Sequence, residues 1–258
     1  MEFVTLFAIA LAGALASPLG GAAALCRRPT TLALSVAVGF AAGALLGAFA
    51  FEMLPQSARL ASLPIAVAGF AAGFALLYGL DLFVHRGASA GEKAAQRQWV
   101  LSVRRRRRPR GDEVTVLAGG TSAEEVVEGL TIGISAATDA SLGLIVGLAI
   151  VIDNFSEALS IGELIREKGG EGQARRILGW TGLIGLALFL SAMAGWFLLR
   201  HLSRGTLGLL VAAGAGAMFY LTMTELVPEA ESHQFQQSSA IAAATGLLVI
   251  FTLSQVAR

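Results

Sequence analysis

An all-α integral membrane fold of eight spans is what this chain predicts, and three observations carry it. Of its 258 residues 55% are hydrophobic and only 14% charged, with a mean hydropathy of +0.69, outside the range of soluble domains. Apolar stretches of about 20 residues, the length that crosses roughly 30 Å of hydrocarbon, recur eight times. The basic residues collect in three of the intervening loops.

The first stretch, residues 2–25, starts with Glu2 rather than a basic residue and is longer than a secretory signal core, so it reads as a span. The second and third fall at 31–54 and 62–84. Residues 85–114 form the one long connection, with Arg104 to Arg108 running into Pro109. Such a run is a solvated loop drawn to anionic headgroups, and without interleaved aromatics it does not suit nucleic acid. The fourth span, 115–138, is interrupted by Glu124, Glu125 and Glu128, so a hydropathy window alone would pass over it. The remaining four lie at 142–165, 177–199, 206–228 and 237–257, and the whole of 1–258 makes a single transmembrane domain.

Eight crossings bring both termini to one side. With the termini outside, the inside loops hold 15 of the 19 Lys and Arg residues: Arg27 and Arg28, those of 85–114, and Arg166, Lys168, Arg175 and Arg176. Only Arg59, Arg200, Arg204 and Arg258 face out, as the positive-inside rule requires of a cell-membrane protein with cytoplasmic basic loops. Omitting the fourth span would move every later loop to the opposite side and spoil this asymmetry.

Carboxylates in mid-span are the functional signal. A charge near the bilayer centre costs roughly 2.5–3.5 kcal/mol on insertion scales, so five acids there call for a compensating cation. Glu124-Glu125-Val-Val-Glu128-Gly-Leu-Thr-Ile-Gly133 repeats position for position as Asp153-Asn154-Phe-Ser-Glu157-Ala-Leu-Ser-Ile-Gly162. On a helix, polar groups at i and i+4 share a face, with i+1 about 100° round. Two antiparallel helices joined near 139–141 would bring both sets to one depth, a cluster of oxygens suited to one or two divalent ions.

A fainter echo pairs Glu52-Met-Leu-Pro55-Gln56 with Glu225-Leu-Val-Pro228-Glu229 on helices of opposite direction. That is the mark of an inverted repeat, here helices 1–3 against 6–8 around a central pair, a 3+2+3 order. Glu52, Glu225 and Glu229 are weaker candidates for a transport pathway, Glu52 near the outer mouth and the other two near the inner one. Asp81, His85, His201 and His233 read as solvated, and Cys26 as a plain helix-end residue. No Ser-His-Asp arrangement or His-Glu-x-x-His sequence points to an enzyme. Gly-rich helix faces permit a homodimer.

These motifs resemble those of the ZIP (Zrt-/Irt-like protein) metal transporters, whose fourth and fifth helices carry His-Asn-x-Pro-Glu-Gly. Asp153 to Gly162 looks like the fifth-helix copy and Glu124 to Gly133 like the fourth. Gly216 to Glu229 is similar to the seventh-helix motif and Phe51 to Gln56 to the second-helix signature, so the likeness spans the chain. It implies uptake of a divalent metal, zinc, iron or manganese, as substrate rather than cofactor. By position, Glu124, Glu128, Asp153 and Glu157 would form a first metal site, and Glu125 and Asn154 a second with the shared Glu128 and Glu157.

The chain departs from that pattern: Val127 and Ser156 replace the prolines, Glu124 replaces the histidine, and Leu188-Phe189 stand where a sixth-helix Glu-Pro is expected. Carboxylate in place of imidazole hardens the site toward manganese, iron(II), magnesium or calcium. Protons and metal compete for crowded carboxylates, so vesicle uptake is expected to slow below about pH 6. The losses also admit a transport-inactive relative that senses metal or scaffolds a membrane assembly.

Overall fold

The computed structural model describes residues 2–84, 113–169, 171–232 and 235–256, and among them every regular element is helical. We number the helices α1 (Glu2–Cys26), α2 (Thr31–Ala48, continued through Phe49–Met53 to Leu54–Leu60), α3 (Leu63–Val84), α4 (Glu113–Thr138), α5 (Ala140–Lys168), α6 (Gln173–Leu199), α7 (Arg204–Leu221, continued through Thr222–Leu226 to Val227–Ser232) and α8 (Gln236–Val256). Seven are long and apolar enough to cross a membrane; α4 fails that measure although it is a continuous helix of 26 residues. The acids Glu124, Glu125 and Glu128 are the reason. Residues 85–112, including most of the basic connection and His85, lie outside the described residues, as do His233 and Arg258.

The helices pack as two groups of four. α1, α4, α5 and α6 pack on one another, while α2 lies along α8 and α3 along α7. The spatial grouping therefore differs from the chain order, because the outer helices α1 and α6 clasp the central pair. An apolar core of Leu6, Phe49, Met53, Ile132, Ile145, Ile150, Leu188, Val211 and Met218 joins the groups. Large apolar side chains such as Leu19, Val67, Leu76, Leu190, Leu198 and Ile241 are exposed on the outside, as lipid-facing positions are.

The repeat is far more regular than its sequence echo. Adding 173 to a residue number carries the start of α2 to that of α7, the start of α3 to that of α8, and the last residue of α1 to that of α6. The same step carries one cap to another: Thr30 Oγ1 accepts from Ala33 N, and Ser203 Oγ accepts from Thr206 N, both at 3.2 Å. It also relates two interruptions. Leu54 N–H donates to Phe49 O and Val227 N–H to Thr222 O, each five residues back, so each helix widens into one π turn. Pro55 and Pro228 explain it, since a proline has no N–H for the carbonyl four residues behind it and its ring crowds that turn. Glu52 and Glu225 stand on these widened turns, the kind of helical defect that recurs at functional sites.

Asp81 corrects the sequence expectation. It is buried rather than solvated, and accepts a 2.7 Å hydrogen bond from the Tyr220 hydroxyl. An aspartate sunk between α3 and α7 needs such a donor, and sequence spacing gave no sign of one 139 residues away. At the α5 end opposite Asp139, Arg28 Nε donates to Glu163 at 2.6 Å and Nη2 to Glu167 at 3.3 Å, tying the α1–α2 turn to α5. These acids raise the Arg28 guanidinium above its ordinary pKa, chiefly through the Glu163 hydrogen bond.

Candidate metal centre

A single residue, Asp139, separates α4 from α5, and its carboxylate caps α5 by accepting from Ser141 N at 2.9 Å and Leu142 N at 3.0 Å. The reversal is therefore abrupt. At 1.5 Å per residue Glu124 lies about 21 Å and Glu157 about 26 Å from it, so the two motifs face each other at similar depth.

Glu124, Glu157 and Glu225 each direct a carboxylate oxygen to one place, all within 4.8 Å of one another. Three helices thus converge there. Glu124 and Glu157 are half-buried and Glu225 buried, so the group is open on one side. Thr121 Oγ1 donates to Glu157 Oε1 at 3.0 Å, fixing one oxygen of that carboxylate. Oxygen-only donors of this kind match hard divalent ions, which take several carboxylate and water ligands at once.

Behind this group lies a fully buried set. Asn154 Nδ2 donates to Glu125 Oε2 at 3.1 Å, while the backbone oxygen of Glu125 accepts from Ser191 Oγ of α6 at 3.2 Å. Glu128 and Asp153 are also buried. Among the described residues, Glu128 Oε2 and Asn154 Oδ1 have no hydrogen-bond partner, a costly state for oxygens removed from water. α6 brings Ser191 rather than a carboxylate, and Leu188 is fully buried.

The structure thus separates the six motif residues into a half-exposed pair and a buried quartet, and adds Glu225 to the pair. That residue was legible only as a weaker pathway position, because nothing in the α7 sequence says how far the helix leans toward α4. Glu229 is buried one turn further on and does not join the group. Glu52 accepts from Ser254 Oγ and lines a separate cleft of about 360 Å³ with Gln56, Arg59, Asp139 and Ser141, at the end of the molecule where α4 turns into α5.

An all-helical bundle that buries acids in the middle of membrane-length helices is a multi-pass membrane protein with its acids gathered inside. Comparison with known proteins narrows this. The chain is 27% identical over 213 residues to the zinc transporter ZupT of Escherichia fergusonii, covering 81% of this chain and 79% of that one. It is 29% identical over 255 residues to the zinc transporter ZupT of Corynebacterium glutamicum, covering 95% of each, and 29% identical over 238 residues to that of Corynebacterium efficiens. No family model matches the chain. The chain is thus similar over most of its length to proteins named as zinc transporters. The relatives are named as transporters, a class apart from enzymes.

Proposed function

We propose that this protein moves divalent metal cations of the zinc, iron or manganese class across the cell membrane toward the cytoplasm, with α1 to α8 all spanning and both termini outside. The observation that carries the reading is the meeting of Glu124, Glu157 and Glu225 from three helices. These oxygens replace part of the ion's hydration, and Glu125, Glu128, Asp153 and Asn154 extend the donor set inward as the six-residue motif pair suggests. The relatives' names speak for zinc, whereas an all-oxygen donor set favours harder ions such as manganese or iron(II).

Uptake of zinc, manganese and iron(II) into vesicles reconstituted with the full chain tests the proposal. Glu225→Gln should lower the rate for the preferred metal at least about 10-fold, since even outer partners of a metal site are worth 10- to 100-fold. Undiminished flux in that variant would remove α7 from the site. A transport-inactive metal sensor is the second reading, favoured by the apolar Leu188 on α6. Metal binding to the purified chain with no flux at any gradient would select it.

A further inference from the structure

The first turns of α6 have two unlike sides. Ile177, Thr181 and Ile184 are buried, and a Cβ built on Gly21 of α1 would meet Thr181 Oγ1 at 2.8 Å and Ile177 Cγ2 at 3.0 Å, so this side is packed on α1. The other side carries a cleft of about 580 Å³ lined by Arg175, Arg176, Gly179, Trp180 and Leu183. Gly179 leaves the space: a Cβ built on it, or on Gly182, would meet nothing within 4 Å. Trp180 is half-buried against the cluster of Ile161, Ile165, Ile177 and Ile184, which fixes one wall.

The chemistry along the cleft is graded. Arg175 and Arg176 are exposed in the first turn of α6, Trp180 follows about 7.5 Å further along the axis, and Leu183 about 12 Å from Arg175. Leu186 and Leu190 continue the same exposed face at helical spacing. Charge, then tryptophan, then leucine is the order in which a bilayer passes from headgroup to acyl chain. The charges do not serve the helix itself, because cations at a helix start oppose its dipole, and the first turn holds no acid. Gly172, at φ 74°, gives that turn no side-chain cap. The repeat sharpens the point: the step of 173 carries Glu2 and Phe3 of α1 to Arg175 and Arg176, so the Arg pair belongs to one half only.

We propose that this cleft binds one anionic glycerophospholipid of the phosphatidylglycerol type, its phosphate held by Arg175 and Arg176 and its acyl chains laid across Gly179 against Trp180 and Leu183. Charge complementarity selects that occupant. Glu171 also lines the cleft, so its lining carries one positive charge in excess, which a single phosphodiester balances. The Glu171 carboxylate offers an acceptor to the hydroxyls of a glycerol headgroup, and two guanidinium groups suit phosphate oxygens. The inference needs α6 to cross the bilayer and is independent of whether metal is transported.

Brominated lipids, which quench tryptophan only at contact, test it. In a chain carrying Trp99→Phe and Trp196→Phe, emission comes from Trp180 alone. In phosphatidylcholine nanodiscs, brominated phosphatidylglycerol is expected to reach half-maximal quenching at a mole fraction at least about fivefold below that of brominated phosphatidylcholine, since pairing with an anionic headgroup is worth about fivefold for each basic residue. Arg175→Gln with Arg176→Gln should bring the two lipids level. Equal quenching by both lipids in the parent chain would overturn the proposal, as would a preference that survives the double substitution.

Two further arms separate this cleft from other sources of the same chemistry. Replacing Arg104 to Arg108 by glutamine should leave the preference at Trp180 intact; its loss would mean that the basic connection, not the cleft, recruits the lipid. Millimolar inorganic phosphate should not compete, and abolition of the preference by it would make the Arg pair a site for free phosphate and defeat the lipid assignment. On the unmodified chain, native mass spectrometry in neutral detergent should show the first phosphatidylglycerol adduct at a concentration at least about fivefold lower than the first phosphatidylcholine adduct. Coincident adduct formation would sink the proposal without recourse to any variant.

Discussion

Replacing Glu157 by alanine is expected to abolish metal uptake, more than about 100-fold below the unmodified chain, while leaving the helices folded. Glu157 is the one residue that the resemblance to the ZIP transporters assigns to both metal positions and that also lies in the convergent group with Glu124 and Glu225. Its carboxylate is held by Thr121, so its geometry is set before a cation arrives. A direct ligand should cost more than the 10- to 100-fold typical of outer partners. Because the side chain is half-buried and polar, its removal takes nothing from the apolar core and should spare the fold. Thermal unfolding in detergent provides the control. At a metal concentration of about 100 Kd the unmodified chain should gain about 2.7 kcal/mol, and Glu157→Ala should gain almost nothing. A variant that still accumulates metal, or that is still stabilised by it, would remove this carboxylate from the site.

How much of this could be read from the chain depends on which interactions are local. The paired motifs were legible because helical periodicity alone puts Glu124 with Glu128 and Asp153 with Glu157. Their meeting was legible because only Asp139 intervenes between the two helices. The α4 helix could be inferred against its own low hydropathy, since the charge asymmetry of the loops demanded an eighth span. What escaped was tertiary. Glu225 enters the group, and Asp81 finds Tyr220, through contacts between helices far apart in the chain, and no spacing rule encodes the tilt that brings them together. The repeat was visible at Glu52-x-x-Pro55 and Glu225-x-x-Pro228, but its gapless step of 173 emerges only when helix ends, caps and π turns are compared, because side-chain identity has drifted while backbone geometry has not.

That backbone correspondence makes a strong prediction about stability. A Cβ built on Gly43 of α2 would collide with the backbone oxygen of Ala243 in α8, and one built on Gly216 of α7 with the backbone oxygen of Phe70 in α3. The two collisions are images of each other under the step of 173, so they are one requirement met twice. Neither carbonyl can rotate away, since each is engaged in its own helix; the helices themselves must separate. In lipid this is severe, because helix pairs are held by close backbone approach rather than by apolar burial. Gly43→Ala and Gly216→Ala should each cost about 1–3 kcal/mol, and the leucine variants more, enough to lose folded protein from membranes. With no shared partner between the two contacts, the double alanine variant should show the sum of the single losses to within about 0.5 kcal/mol. Gly79→Ala, on an open face of α3 with nothing within 4 Å, should leave the melting temperature unchanged. If Gly43→Ala and Gly216→Ala melt like Gly79→Ala, the α2–α8 and α3–α7 pairs are not packed backbone to backbone, and the grouping of the helices would have to be redrawn.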